Sequence, residues 1–251
     1  MNTLLLEEMT WLEIESAMES GMRTVIIPCG AIEQHGPHLP ESTDTLRGYI
    51  EGAALAERLG DALVAPVIRP GLSEHHMVFK GTVALRPEIF AGVLEDYIAS
   101  YVKHGFEKIV ICCPHGGNMS AVAKVVEAQR GKYPNIKFAT DGLAEDIMRM
   151  LIEFERAENM PLGVCGGHAD DFETSVLLAK LPDEVRTEKL SQGYMGEQTL
   201  NILEKIFKFG LDSVTENGVL GDPTSADPER GKRYFNAFMD RQEALIRKQL
   251  D

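Results

Sequence analysis

The sequence predicts an α/β fold in which a mostly parallel central sheet is covered on both faces by helices, as a three-layer α/β/α sandwich. Short apolar runs rich in β-branched residues alternate along the chain with longer stretches that have apolar residues at helical spacing. The short runs are apolar on both faces, which is typical of a parallel sheet buried between two layers. The length of 251 residues suits one large domain, so we expect residues 1–251 to form a single domain.

The predicted strands share a common pattern. Each is a short apolar run bounded by glycine, proline or a polar segment. The first contains Val25, Ile26 and Ile27 and stops before Gly30. In chain order, the predicted strands are residues 24–29, 62–68, 108–113 and 136–140.

The predicted helices have apolar residues at the spacing that places them on one helical face. Their ends are marked most clearly around residues 87–103, where Pro87 lies in the first turn and Gly105 follows the last. Asn118 is expected to act as a helix N-cap. In chain order, the predicted helices are residues 47–59, 87–103, 118–132, 171–181, 197–208 and 227–250.

Composition and charge exclude several classes of protein. Hydrophobic residues make up 44% of the chain and charged residues 25%, which excludes a disordered or fibrous protein. The formal net charge of −14 argues against nucleic acid or an anionic membrane as a partner. No segment approaches the ~18 to 20 apolar residues that span a bilayer, and the first residues turn acidic too early for a signal peptide. We therefore expect a cytoplasmic protein.

Residues that can bind a metal follow the first predicted strand. Glu33 and His35 are two residues apart, so in an extended chain both side chains point to the same side. Asp44 follows across a loop that contains proline and glycine and can fold back towards them. A carboxylate, an imidazole and a second carboxylate suit a divalent transition metal.

The histidines concentrate at the ends of predicted strands. Of the seven histidines, only His104 lies at the end of an ordinary helix. His115 follows the third predicted strand, and Gly116 and Gly117 after it allow the backbone to approach a ligand closely. Ligands of such folds bind beyond the carboxyl ends of the strands, so we expect one site there. The remaining histidines are His35, His38, His75, His76 and His168.

Taken together, these segments resemble the creatininase (creatinine amidohydrolase) family, in its His-Gly-Gly-Asn branch. The residues that carry the resemblance are 30–40, Thr43, Asp44, 115–118, His168, Ala169 and 173–175. The resemblance implies an α/β fold, a hydrolytic centre with two divalent metal ions (zinc, manganese or iron) and a homohexamer. Residue by residue, it implies that the metal ligands are Glu33, His35, Asp44 and His115, with Asp44 bridging the two ions.

The chain departs from the family pattern at positions that bear on the ligands and the substrate. Creatininase has a glutamate ligand two residues after its second histidine ligand, where this chain has Gly117, and we expect Glu173 to replace it. Creatininase also closes tryptophans over creatinine, whereas the single tryptophan here is Trp11. His75 and Lys80 stand where the family pattern has glutamate and proline. Creatinine itself is therefore not the expected substrate.

The expected ligands suggest how the reaction proceeds. Three carboxylates carry less negative charge than two divalent cations carry positive charge, which favours a bound hydroxide as the nucleophile. Metal binding lowers the pKa of water from about 15.7 towards 7. We expect His168 to be the general acid and base, because a neutral imidazole titrates near the working pH. The expected substrate-binding residues are His75, His76, Lys80, Gly116 and Gly117.

The predicted function is hydrolysis of a C–N bond in a small cyclic amide or a related amide. One alternative is a hydrolase that cleaves a C–C bond in an oxidised inositol ring, a cyclic ketone of the inosose type. Another is a formamide deformylase, and the family resemblance also implies members that process precursor peptides. A non-catalytic metal-binding assembly protein would need the ligands without a proton shuttle, and His168 beside Glu173 argues against it.

Overall fold

The computed structural model describes residues 3–142, 144–196 and 200–251. Its central sheet is parallel throughout, with the strand order β2-β1-β3-β4. A second, antiparallel sheet pairs β5 with β6. The strands are β1 (Thr24–Pro28), β2 (Ala62–Val64), β3 (Lys108–Cys112), β4 (Lys137–Thr140), β5 (Cys165–His168) and β6 (Leu220–Gly221).

Helices cover both faces of the central sheet. On one face Val25 and Ile27 of β1 belong to a core formed with α3 and α4, and on the other Ile26 belongs to a core formed with α2 and α8. The predicted α/β fold with a parallel sheet between helices is confirmed. The helices are α1 (Trp11–Glu19), α2 (Thr43–Leu59), α3 (Pro87–His104), α4 (Met119–Lys132), α5 (Ala144–Ala157), α6 (Asp171–Lys180), α7 (Leu200–Phe209) and α8 (Pro228–Leu250).

Several elements begin or end elsewhere than predicted. Strand β2 ends at Val64, because Pro66 has no N–H with which to continue the ladder, and only a single bridge at Ile68 rejoins β1. Helix α2 begins at Thr43, four residues earlier than predicted, so Asp44 lies in its first turn. The predicted helix 197–208 includes residues 197–199, which lie outside the described residues, and α7 is the part that is described.

Two helices were absent from the prediction. Helix α1 begins with a capping box, in which the Thr10 hydroxyl accepts a hydrogen bond from the Glu13 N–H and the Glu13 carboxylate accepts one from the Thr10 N–H. The pattern Thr-x-x-Glu is a local signal for a helix start. Helix α5 contributes Met150, Leu151 and Phe154 to the core on the α2 side of the sheet.

The strand order explains where a site forms. The chain leaves β1 towards β2 on one side, and later enters β3 on the other side of β1. This reversal opens a crevice at the carboxyl ends of β1 and β3. The segments that follow these two strands carry Glu33, His35 and His115.

Among the described residues, none of the helices combines the length and the hydropathy that a membrane span needs.

Candidate metal centre

Glu33 and His35 lie in the loop after β1, and both are buried. Nδ1 of His35 lies 3.0 Å from the Glu33 carbonyl oxygen. When Nδ1–H donates to this carbonyl, Nε2 carries the free lone pair and faces the crevice. The loop is fixed by an antiparallel bridge between Ile32 and Val83. The backbone therefore sets the tautomer and the direction of His35.

Asp44 projects from the first turn of α2 into the same crevice. Its Oδ1 lies 3.4 Å from Nε2 of His35, and its Oδ2 lies 3.5 Å from Nδ1 of His115. Helix α2 comes this close because Gly30 has no side chain: a Cβ at Gly30 would lie 3.0 Å from the Asp44 carbonyl oxygen. The two carboxylate oxygens of Asp44 thus face two different histidines.

His115 directly follows β3 and completes the other side of the crevice. Its Nδ1 lies 3.1 Å from Oε1 of Glu33, and its Nε2 lies 3.2 Å from the Leu72 carbonyl oxygen. Donation from Nε2–H to that carbonyl leaves Nδ1 free to bind a cation. Gly117 makes this ring position possible, because a Cβ there would lie 2.3 Å from Nε2 of His115.

Glu173 enters from the first turn of α6. Its Oε2 lies 3.8 Å from Nε2 of His35 and accepts a hydrogen bond of 2.7 Å from the Ala169 N–H. Its Oε1 accepts a hydrogen bond of 2.5 Å from Nη1 of Arg47. One oxygen of Glu173 therefore faces the crevice while the other is held by an arginine.

His168 ends β5 and packs against the cluster, which consists of Glu33, His35, Asp44, His115 and Glu173. Its ring centroid lies 4.2 Å from that of His35 and 4.6 Å from that of His76. Nε2 lies 2.8 Å from the Gln34 carbonyl oxygen, and Nδ1 lies 3.8 Å from Oε1 of Glu33. With the proton on Nε2, the lone pair of Nδ1 faces the carboxylates.

Unpaired polar atoms test whether these residues fit a metal ion. Within the described part of the chain, four buried atoms of the cluster make no acceptable hydrogen bond: Oε1 and Oε2 of Glu33, Nε2 of His35 and Oδ2 of Asp44. Buried carboxylate oxygens without partners are costly unless a cation lies between them. Among the described residues, three groups have ligand atoms within 4.8 Å of one another, and none of the three includes His115: Glu33-His35-Asp44, His35-His168-Glu173 and Glu33-His76-His168. The donor set therefore fits divalent cations.

The pKa values of two histidines in the cluster also indicate a site for a cation. Burial alone would lower the pKa of His35, but Asp44, Glu173 and Glu33 outweigh it and raise the pKa to about 10. At His115, burial is likewise outweighed by Glu33 and Asp44, and the pKa rises to about 9. Protons on the two imidazoles thus balance the carboxylates, and a bound metal would displace them.

The pKa values of two other histidines, His168 and His75, are lowered instead of raised. Burial, together with the charge of His35, lowers the pKa of His168 to about 3. Burial and the charge of His115 lower the pKa of His75 to about 4. Both are neutral at pH 7, so in the metal-free protein His168 does not titrate near the working pH as expected. Part of each shift comes from the positive charge of His35 or His115, which a bound metal ion would remove together with the proton.

The residues predicted to bind substrate lie at different distances from the centre. His76 is buried with Nε2 3.6 Å from Oε1 of Glu33, and the ring of His75 stacks on that of His115 at 5.9 Å. Gly116 is exposed with open space at its Cα. Lys80 is exposed, and within the described ranges it forms no ion pair with the cluster. The substrate-binding role of these residues stays a prediction.

Three residues around the centre were missed or misjudged from the sequence. The Gln34 amide lies 3.0 Å from Nδ1 of His76 and donates to the Gly218 carbonyl oxygen at 3.2 Å. Arg47 holds Glu173. Asn118 occupies the N-cap position of α4 as predicted, but its side chain does not cap the helix. It instead accepts from the Leu72 N–H and donates to the carbonyls of Cys29 and Gly30. Of these three residues, only Gln34 could have been found from the sequence, because it lies between the predicted ligands Glu33 and His35.

A cavity of about 360 Å³ reaches His75 but is not lined by any of the proposed metal ligands. It is lined by His75 and by the exposed Phe207 of α7, whose ring centroids are 4.6 Å apart. The ring of His75 separates this cavity from His115, whose ring centroid lies 5.9 Å from that of His75.

Comparison with known proteins identifies the family. The chain matches the family model described as creatininase, creatinine amidohydrolase, over residues 7–246. The chain belongs to the creatininase family. It is 33% identical over 243 residues to the mycofactocin precursor peptide peptidase of Mycobacterium tuberculosis (strain ATCC 25618 / H37Rv), which covers 90% of this chain and 85% of that protein.

Two further creatininase-family proteins are similar over most of the chain. The creatinine amidohydrolase of Pseudomonas putida is 27% identical over 198 residues, which covers 73% of this chain and 74% of that protein. A mutant creatininase of the Zn-Zn type has the same fold, with a TM-score of 0.83 at 23% identity, covering 100% of this chain and 99% of that chain. The predicted family is confirmed, and with it the prediction of a hydrolase, since these relatives are a peptidase and an amidohydrolase.

Proposed function

We propose that this creatininase-family chain hydrolyses an amide bond with two divalent metal ions held in the crevice between β1 and β3. The observation that carries the proposal is the position of Asp44, whose two oxygens lie 3.4 Å from His35 and 3.5 Å from His115. Each histidine has a second carboxylate beside it, Glu173 at 3.8 Å from His35 and Glu33 at 3.1 Å from His115. The residues thus offer two ligand sets that share Asp44.

The two ligand sets suit the same kind of ion. One consists of His35, Asp44 and Glu173, and the other of Glu33, Asp44 and His115. Imidazole and carboxylate donors suit zinc, manganese or iron. Two such ions would supply a polarised carbonyl and a bound water of lowered pKa.

His168 is the proposed general acid and base. It is buried, its Nε2 lies 2.8 Å from the Gln34 carbonyl oxygen, and its Nδ1 lies 3.8 Å from Oε1 of Glu33. A proton on Nε2 that is donated to this carbonyl leaves the lone pair of Nδ1 free. In this orientation Nδ1 can take a proton from the attacking water and return it to the leaving nitrogen. His75, His76, Lys80, Gly116 and Gly117 are the proposed substrate contacts.

The proposed substrate is a small cyclic amide or a related amide. A peptide bond is the second candidate, for two reasons. The chain is 33% identical to a precursor peptide peptidase, and the cavity of about 360 Å³ beside His75 has room for a residue that flanks the scissile bond. Hydrolysis of an inosose is the remaining alternative, because the chain is also 26% identical over 242 residues to the 3-dehydro-scyllo-inosose hydrolase of Thermotoga maritima, which covers 89% of this chain.

A panel of substrates tests this function. The metal-free protein would be reloaded with zinc or manganese and incubated with lactams, short peptides, formamides and inososes, with products identified by mass spectrometry. We expect turnover of a cyclic amide or a peptide that is lost on chelation, and none by a reloaded Asp44→Asn control. Turnover of inososes alone would contradict the proposal. Binding of two ions without turnover of any class would favour a non-catalytic assembly protein.

We also propose that residues 1–251 form one domain and that the protein is a cytoplasmic homohexamer. The hexamer is motivated by the family resemblance, and the location by the acidic composition. Sedimentation at micromolar concentration tests the assembly, and a monomer there would contradict it.

A further inference from the structure

A buried arginine lies directly behind the proposed metal centre. Arg47 of α2 forms ion pairs with Glu51, at 2.8 Å from Nε, and with Glu173, at 2.5 Å from Nη1. The exposed fractions of these side chains are 7%, 8% and 6%. The guanidinium also lies 5.5 Å from the ring centroid of Phe172. Arg47 is therefore fixed in place by packing as well as by charge.

The ion pair with Arg47 determines which carboxylate oxygen of Glu173 faces the proposed metal centre. Oε1 is turned away and bonded to the guanidinium, whereas Oε2 faces Nε2 of His35 at 3.8 Å. A carboxylate oxygen has two lone pairs, and the Ala169 N–H occupies one of those on Oε2. One lone pair of Oε2 remains for a cation. Glu173 cannot present both oxygens without giving up the ion pair with Arg47.

The backbone supports the same orientation. Ala169 has a φ of 50°, in the left-handed region that non-glycine residues seldom adopt, and its side chain is fully buried. This conformation directs the Ala169 N–H at Oε2 of Glu173, with a distance of 2.7 Å. Glu173 is thus held at both oxygens by groups from different parts of the chain.

The carboxylate of Glu51 balances the positive charge of Arg47. Arg47 and Glu51 form a neutral pair four residues apart on α2. The negative charge of Glu173 is therefore left for a cation in the crevice, even though its Oε1 touches the guanidinium. Without Glu51, the arginine would cancel the charge of the ligand that it orients.

We propose that Arg47 is a positioning residue that restricts Glu173 to one coordinating oxygen and so keeps a coordination position open at the ion beside His35. The proposal rests on the proposed function, since it requires an ion at that place. An open position is what a hydrolytic site needs for water or substrate, as opposed to a closed structural site.

The test replaces the Arg47–Glu51 ion pair as a unit and leaves Glu173 without its guanidinium partner. The Arg47→Leu/Glu51→Leu double variant removes one positive and one negative charge, and exchanging a buried ion pair for apolar residues of similar volume is often neutral or stabilising. Arg47→Leu alone would leave two buried carboxylates unpaired and can fail to fold. Glu51→Gln is the matched control, because its amide oxygen still accepts from Arg47 and the contact with Glu173 stays.

Cobalt(II) reports the coordination directly. Its visible absorption weakens as the number of ligands rises, and it can be recorded in folded, cobalt-loaded protein without any substrate. We expect the double variant to bind cobalt at least as tightly as the wild type, with weaker absorption per ion and a lower kcat, because Glu173 then binds with both oxygens. Glu51→Gln should keep the wild-type absorption per ion, because Arg47 still holds Oε1 of Glu173, but it should bind cobalt more weakly, because the charge of Arg47 is no longer balanced.

An unchanged spectrum in the folded double variant would overturn the role of Arg47. Loss of a cobalt ion would also overturn it, because Glu173 would then depend on Arg47 for binding itself. If the wild-type protein bound no cobalt, the proposed function would fail instead, so the two failures are distinguishable.

Discussion

The side chains of His35 and Asp44 meet at the carboxyl edge of the central sheet, with 3.4 Å between Nε2 and Oδ1. The other oxygen of Asp44 lies 3.5 Å from Nδ1 of His115. His35 follows β1, Asp44 lies in the first turn of α2 and His115 follows β3, so one carboxylate joins three elements of the fold. This is the reason to expect that two ions share Asp44.

Asp44→Ala is expected to remove both ions together, because each ligand set loses its shared member. Metal content would be measured by elemental analysis after dialysis against limiting zinc. Asp61→Ala, which removes a carboxylate that pairs with Lys108 away from the centre, is the control and should keep both ions. Retention of one tightly bound ion by Asp44→Ala would show that Asp44 serves a single metal.

His168→Ala is expected to keep its metal ions and to lose activity by roughly 10²- to 10⁴-fold, which is the usual contribution of general acid–base catalysis. The loss should be smaller for substrates whose leaving group needs no proton. Parallel measurement of kcat and metal content checks this. Rescue of His168→Ala by excess metal would identify the residue as a ligand.

His115→Ala should behave differently from His168→Ala. Nδ1 of His115 lies 3.1 Å from Glu33 and 3.5 Å from Asp44, so its removal should lower metal content first. Activity should then recover in part at high metal concentration. Full metal occupancy with lost activity would exclude His115 as a ligand.

Gly117→Ala is expected to weaken metal binding by about 10- to 100-fold, the usual effect of disturbing the support of a ligand. The new Cβ would lie 2.3 Å from Nε2 of His115 and 2.7 Å from the Leu72 carbonyl oxygen, so the ring must move. Gly116→Ala is the matched control, because nothing lies within 4 Å of a Cβ there. Competition with a chelating dye measures both affinities, and equal effects would refute this account of Gly117.

The metal-free protein should lose stability as the pH rises. The folded-state pKa values of His35 and His115 are about 10 and about 9, raised from 6.5 by the neighbouring carboxylates against the effect of burial. A raised histidine pKa adds stability that is fully present below pH 6.5 and is lost as the pH rises through 9 and 10. Urea unfolding over this range, with chelator or with zinc, would measure it. The same loss in the zinc-loaded protein would contradict the assignment.

The predictable part of the fold rests on local patterns. Strands such as β1 and β3 are continuous apolar runs, and their burial on both faces followed from that pattern. The prediction extended β2 too far because periodicity does not register the missing N–H of Pro66. Helix α1 was missed although Thr10 and Glu13 form a capping box, because Trp11 and Leu12 are exposed and weaken the apolar stripe.

The proposed ligands could be found from the sequence because they follow parallel strands that end at one edge. The residues that hold these ligands in position could not be found in this way. Arg47 and Glu173 are 126 residues apart in the chain, and no local spacing links them. Similarly, the space that His115 needs is provided by the absence of a side chain at Gly117, which the sequence suggested as a ligand contact.

The number of ions per chain tests the central claim most directly. Metal-free protein would be dialysed against excess zinc, freed of unbound metal and measured by elemental analysis against protein concentration. A centre built around a shared Asp44 predicts two ions per chain. One ion or none would contradict it.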